Sequence, residues 1–277
     1  MLYYTVIIRS LFQKVSGKLK KVRKFVFGPI NSRRLGRSLG IDLVTAKTCP
    51  LDCIYCEARA TTELTLTRRE YVPVEEVISE LRATLDEIPM PDHITFSGAG
   101  EPTLNSGIGK VIGFIKENYP DSRVCLLTNG LLLGDKKLQE ELRPLDMIIP
   151  SLDASCEEEY LYINRPYPGE TLKKLHSNLC AFRKNVPAEM ALEIFVVPGI
   201  NDSDESISRF FELISEIQPD AIQLNTLDRS GVIGGLKAAS RESLEKFASV
   251  LGKIAPTAIF GPSPEPHFPH NKTAENL

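Results

Sequence analysis

The chain has 277 residues, 42% of them hydrophobic and 25% charged, a composition that excludes a collagen-like or wholly disordered polypeptide. No apolar run is long enough to span a bilayer, and six cysteines are too few for a disulfide scaffold at this size. The net charge of −3 is uneven: residues 1–40 hold ten basic and no acidic residues, so residues 41–277 carry −13, and such a basic head is either a polyanion contact or a solvated extension.

In chain order, Ile8, Leu11, Phe12, Val15, Leu19 and Val22 repeat at helical spacing with lysines opposite. That predicts a basic amphipathic helix within a peripheral extension at 1–23. Residues 41–46 read as a short strand. Val74, Val77, Ile78, Leu81 and Leu85 mark a helix at 74–88. A strand at 93–96 runs into a glycine-rich segment, and a helix at 109–119 closes at Pro120. The strand at 123–128 stops at the turn pair Asn129-Gly130. A helix at 136–143 and a strand at 147–152 follow. The alternation continues with a helix at 171–184, a strand at 191–197, a helix at 205–217 and a strand at 221–224. A helix at 241–254 and a short strand at 257–260 end it. Strands alternating with helices build a parallel sheet. About six such units predict an α/β fold, a partial (β/α)6 TIM-like barrel, in one domain at 24–261. The tail at 262–277, with Pro262, Pro264, Pro266 and Pro269, is expected to be irregular.

Cys49, Cys53 and Cys56 form C-x3-C-x2-C directly after the first barrel strand, on a loop containing Pro50. Structural cysteines are normally dispersed through a core, so this clustering points to a metal site. A closed zinc site needs a fourth ligand, and no nearby His or Cys supplies one. Three thiolates with one open position suit a [4Fe–4S] cluster. Cys125 and Cys180 read as core residues. Cys156, just past a strand's carboxyl end, is a candidate for chemistry as well as for a structural role. His267 and His270 form H-x-x-H in the tail without other ligands near them.

With Tyr55 at the aromatic position of C-x3-C-x-aromatic-C, the motif resembles that of the radical S-adenosylmethionine (SAM) superfamily. The segments FGPINSRRLGRSLGIDL, KTCPLDCIYC, FSGAGEPTLN, TNG, PSLDA and VVPGIND, within residues 24–260, are similar to a group labelled wyosine-synthase-like iron–sulfur oxidoreductases. The resemblance implies an enzyme in which the three cysteines hold three irons of an oxygen-sensitive cluster and SAM occupies the fourth. One electron, from a donor such as flavodoxin or ferredoxin, then cleaves SAM to methionine and a 5′-deoxyadenosyl radical. That radical takes hydrogen from a substrate. Residues 1–48 contain no cysteine, so the second cluster of true wyosine synthases is not expected.

The resemblance also implies SAM contacts. Ser97, Gly98, Ala99, Gly100 and Glu101 are similar to the family's GGE motif. Thr128, Asn129, Ser151 and Asp153 fall where the family binds ribose and the methionine carboxylate. Val197 and Pro198 fall where adenine packs, with Tyr55 near its edge. These segments lie at strand carboxyl ends, where parallel α/β sheets bind ligands. Asn129-Gly130 also reads as an ordinary turn, and Asp153 as a helix cap. Arg165 is a candidate partner for a carboxylate of SAM or substrate. Arg33, Arg34 and Arg37 either bind an anionic substrate such as a nucleotide or RNA, or pair with the acidic body. Two alternatives stay open: an activase of a glycyl-radical enzyme, whose substrate is a partner protein, and a non-catalytic electron-transfer protein. No transmembrane segment is expected, and the expected location is cytoplasmic.

Overall fold

The computed structural model describes residues 23–45, 47–228 and 231–261. The expected amphipathic helix at 1–22 and the tail with His267 and His270 lie outside the described residues. The fold begins on an anchor: the backbone N–H groups of Lys24, Phe25 and Val26 converge on the Glu80 carboxylate at 2.8–2.9 Å.

β1 (Val26–Ser32) turns back into antiparallel β2 (Gly36–Ile41). A two-stranded ladder, β3 (Thr48–Cys49) with β4 (Glu63–Leu64), stands apart from the main sheet. Then come α1 (Val74–Glu87), β5 (His93–Phe96), α2 (Ile108–Asn118), β6 (Arg123–Thr128), α3 (Lys136–Leu142) and β7 (Met147–Pro150). The second half holds α4 (Glu157–Ile163), α5 (Leu172–Asn185), β8 (Glu189–Phe195), α6 (Asp204–Ile217), β9 (Ala221–Asn225), α7 (Arg241–Leu251) and β10 (Thr257–Ile259).

The eight-stranded sheet has the order β1-β2-β5-β6-β7-β8-β9-β10. From β2 onward every pair is parallel. Strand order follows chain order, so each crossover steps the same way. Right-handed crossovers then put all helices on one face, and the sheet curls with that face outward. Its ends, β1 and β10, do not pair with each other. The result is the expected open, partial barrel.

Packing follows the alternation of the strands. Leu39, Ile41, Ile94, Phe96, Val124, Leu126, Leu192 and Ile194 face outward and are buried against Leu81, Ile112, Leu138, Phe182, Phe210 and Phe247 of the helices. The inward rows are smaller and more polar. Leu35, Cys125, Met147, Ile149 and Ala191 cluster there, which confirms Cys125 as a core residue. The Ser38 and Thr95 hydroxyls share a hydrogen bond of 2.7 Å. Arg34 rises from the β1–β2 turn to pair with Glu193 and with Gln223. Among the described residues no helix is long and apolar enough to cross a membrane.

The first barrel strand lies five residues earlier than the sequence predicts, at Gly36–Ile41. Asp42 ends it by accepting the N–H of Val44 at 3.2 Å and of Ala99 at 3.0 Å. Leu43 and Val44 are buried as loop residues, so an apolar run mimicked a strand. β1 and α4 have no counterpart in the sequence reading. α4 has seven residues, too short for a periodic signal, and opens with three glutamates that favour its N-terminal dipole end.

Candidate active site

A cavity of about 230 Å³ opens at the carboxyl ends of β5, β6 and β7. The residues directly after or at these strand ends, Ser97, Thr128, Asn129 and Ser151, line it, together with Gly98, Gly100, Glu101 and Asp153. Cys49, Cys53, Tyr55 and Cys56 form the facing wall.

The cysteine loop is clamped from two sides. On one, Glu101 N–H donates to the Thr48 carbonyl at 3.0 Å. Gly100 permits this approach, because a Cβ there would sit 1.9 Å from that same oxygen. On the other, the connection after α4 runs beside the loop. Ile54 N–H reaches Ile163 O at 2.9 Å, Asp52 N–H reaches Asn164 O at 3.0 Å, and Tyr167 N–H reaches Pro50 O at 2.8 Å. The loop is therefore held by segments distant in sequence.

All three cysteines are free thiols, and each has a side-chain N–H neighbour. Lys47 Nζ donates to Cys56 Sγ at 2.9 Å, Asn164 Nδ2 to Cys53 Sγ at 3.4 Å, and Asn129 Nδ2 to Cys49 Sγ at 3.5 Å. Burial pushes the Cys49 thiol up to about 11 and raises Cys53 further. Burial alone would lower the pKa of Lys47, but the sulfurs around it outweigh that and raise it.

Two buried carboxylates organise the opposite wall. Glu101 accepts from Thr103 N–H at 3.1 Å, Thr103 Oγ1 at 2.6 Å, Thr128 Oγ1 at 2.7 Å and Asn129 N–H at 2.8 Å. These bonds favour the ionised form, yet burial outweighs them and raises its pKa. Asp153 accepts from Tyr55 Oη at 2.5 Å, Asn164 Nδ2 at 3.0 Å and Phe195 N–H at 2.9 Å. Burial pushes its carboxyl up to about 6 against those three donors. Tyr55 also stacks on Phe195, with ring centroids 3.8 Å apart and planes 8° from parallel. Asn164 thus bridges Cys53 to Asp153, while its Oδ1 is buried without a partner on the cavity wall.

Other expected contacts fall elsewhere. Ala99 does not line the cavity; its N–H is spent on Asp42. Val197 is buried with Ile54, Ile163, Phe195 and Leu227, behind the wall, and Pro198 is likewise outside the lining. Arg165, in a left-handed backbone conformation at φ 45°, is not among the residues that line the cavity, and its guanidinium lies 3.9 Å from Asp52. Cys156 precedes α4 as its N-terminal cap residue and is not part of the cavity, and Asp153 is no helix cap. Cys180 is half-buried on α5, 3.7 Å from His176 Nε2. The arginine block is already paired: Arg33 with Asp228, Arg34 with Glu193, and Arg37 with the carbonyls of Pro89 and Met90. Lys47 and Glu193 line the cavity without having been singled out by the sequence, because an isolated Lys or Glu carries no spacing signal; in the segment Asn164-Arg165-Pro166 it is Asn164, and not the candidate Arg165, that lines it.

Three free thiols on one wall, with a hydrogen-bond donor at each sulfur, fit a thiolate-held group. Among the described residues no three His, Cys, Asp or Glu side chains converge closely enough to grip a single metal ion. Three thiolates with no fourth protein ligand suit a [4Fe–4S] cluster better than a closed zinc site. The unpartnered Asn164 oxygen and the polar strand ends fit a second, polar ligand beside it.

Residues 43–211 match the Radical SAM superfamily. Over 233 residues, 84% of this chain, it is 38% identical to a protein named GTPase Obg from Brachyspira hyodysenteriae, of which it covers 34%. The chain thus spans about a third of that relative's length. It is 35% identical over 202 residues to a UPF0026 protein of Synechocystis, covering 72% of this chain and 74% of that one. Among solved structures, a radical SAM methyltransferase from Sphaerobacter thermophilus gives a TM-score of 0.62 at 17% identity, covering 80% of this chain and 65% of that one. TYW1 with a lysine-pyruvate adduct gives 0.58 at 18%, covering 79% and 74%. The protein anSMEcpe with bound AdoMet gives 0.57 at 20%, covering 80% and 63%. At these identities the structures share the fold.

Proposed function

Because this chain belongs to the radical SAM superfamily, whose enzymes use a [4Fe–4S] cluster and SAM, we propose that Cys49, Cys53 and Cys56 ligate the cluster and that the strand-end wall binds SAM. The observation that carries this reading is the shared cavity: three free thiols on one side and the polar ends of three strands on the other. When bound, cluster and SAM together supply one-electron cleavage of SAM to methionine and a 5′-deoxyadenosyl radical, which abstracts hydrogen from substrate.

The chain's own residues bind and orient. The backbone of Ser97–Gly98 and Gly100–Glu101 lines the SAM side, where the missing Cβ of Gly100 lets the strand-end turn close on the cysteine loop. Glu101 locks the β5 and β6 ends together and so fixes the position of Asn129. Asp153, held by Tyr55 and Asn164, presents a preset acceptor, and Ser151 adds a hydroxyl beside it. Tyr55 closes the cavity's flank, its ring held by stacking on Phe195.

The substrate is an unidentified hydrogen donor. An anionic substrate such as a nucleotide or RNA gets no support from Arg33, Arg34 and Arg37, since each is bound within the chain. An electron donor such as flavodoxin or ferredoxin is part of the proposal.

The test is anaerobic reconstitution. About four irons per chain are expected, the content of one cubane, followed by release of 5′-deoxyadenosine when SAM and dithionite are added. The Cys49→Ala/Cys53→Ala/Cys56→Ala variant should lose both. Iron binding without SAM cleavage under several reductants would favour an electron-transfer protein instead.

A further inference from the structure

Each candidate cluster cysteine meets one side-chain N–H donor, and the three donors come from different parts of the fold. Asn129 follows β6, Asn164 follows α4, and Lys47 precedes β3. The two amides are neutral and lie 3.4–3.5 Å from their sulfurs. Lys47 differs in kind. It carries a full charge, lies 2.9 Å from Cys56 Sγ, and is 5% exposed. Its carbonyl accepts from Thr62 N–H at 2.9 Å and Glu63 N–H at 3.2 Å, which fixes it at the neck of the cysteine loop.

A buried ammonium is costly unless an anion faces it. Its ammonium has Cys56 Sγ at contact distance, and Cys49 and Cys53 line the same cavity beside it. Its counter-charge is therefore the thiolate set itself. Adding an electron to a thiolate-bound cluster makes that set more negative. A fixed positive charge at contact distance stabilises the reduced state more than the oxidised one. Hydrogen bonds to the sulfurs act in the same direction, and both are recognised determinants of iron–sulfur potentials.

We infer that Lys47 is a positioning residue that raises the reduction potential of the cluster, with Asn129 and Asn164 as weaker, neutral members of the same donor set. The inference rests on the reading that these cysteines hold a [4Fe–4S] cluster. The couple is the one-electron 2+/1+ step, with the electron supplied by the external reductant.

The experiment is a dithionite titration of the reconstituted full chain, without SAM, followed by electron paramagnetic resonance of the reduced cluster. Lys47→Met should bind iron like the wild type but titrate at a more negative potential. The expected change is at least tenfold in the reduced-to-oxidised ratio at fixed solution potential, which is 59 mV for one electron. Lys47→Arg keeps the charge and should restore most of the shift; Asn164→Ala and Asn129→Ala should move it the same way by less. A Lys47→Met protein that titrates with the wild type overturns the inference. So does one that keeps its fold by circular dichroism but no longer retains iron, since that makes Lys47 a scaffold residue. Failure of the wild-type chain to bind about four irons would instead sink the cluster assignment itself.

Discussion

Asp153 offers the sharpest test of the site's electrostatics. Its carboxyl is pushed from an ordinary 3.8 up to about 6 by burial, against three hydrogen-bond donors. That displacement corresponds to ~3 kcal/mol of difference between the ionised and neutral forms. The unfolded chain releases this proton near pH 4 and the folded chain near pH 6. Between these values the folded state holds the extra proton. Stability therefore falls as pH rises through that window, with the whole cost present above it and none below it. Asp153→Asn cannot ionise and lacks this step. It does lose an acceptor: whichever way the amide turns, its NH2 faces Tyr55 and Asn164 or faces Phe195 N–H. That costs roughly 1–3 kcal/mol at every pH. Relative to the wild type, the variant should be less stable near pH 4 and should gain ~3 kcal/mol by pH 8. Urea unfolding of the iron-free full chain under reductant, at several pH values from 4 to 8, measures the difference. A wild-type-to-variant gap independent of pH would refute the raised carboxyl. In the reconstituted protein the same variant should bind SAM more weakly while its iron content holds.

Three further outcomes are expected. Gly100→Ala puts a methyl 1.9 Å from the Thr48 carbonyl, so it should cost roughly 1–3 kcal/mol by overpacking and lower iron retention; normal melting and normal iron would show that the turn can yield. Ser151→Ala should weaken SAM binding by about 0.5–1.5 kcal/mol at unchanged iron content, and an unchanged affinity by calorimetry would remove Ser151 from the site. A chain starting at residue 23 should fold, bind iron and cleave SAM like the full chain, because the anchors at Lys24, Phe25 and Val26 remain; an insoluble product would mean the fold extends into residues 1–22.

The strands at 93–96 and 123–128 were readable to the residue, because apolar runs there end at strong turn signals, Ser97-Gly98 and Asn129-Gly130. The helices from 74, 108, 204 and 241 were readable from apolar periodicity. The first strand slipped because only Leu39 and Ile41 mark its outward row and the six-residue segment carries two glycines, Gly36 and Gly40, which weaken a strand signal. The buried loop residues Leu43 and Val44 then supplied a false one. Of the candidate site, the cysteines announced themselves by spacing, and the strand-end residues by position. Lys47 and Asn164 did not. Asn164 reaches Cys53 across 111 positions of sequence and Asp153 across 11. Its role exists only once the connection after α4 lies against the cysteine loop.

The basic block marks the limit of charge counting. Ten basic residues without an acid in residues 1–40 predict a positive field, and a positive field suggests a polyanion. Whether that field survives folding depends on which acids the topology brings near. Arg34 meets Glu193 across 159 positions, and Arg33 meets Asp228 across 195. Both acids come from the negative body, so the imbalance between the two parts of the chain is partly met inside the fold. Arg34 and Glu193 also sit beneath the cavity, where Glu193 contributes to its lining. A cation that neutralises a carboxylate there tunes the floor of the site without offering a contact to an anionic ligand. The acceptors that do face the cavity, Asp153, Glu193 and the unpartnered oxygen of Asn164, belong to the wall proposed for SAM and suit the hydrogen-bond donors that SAM carries.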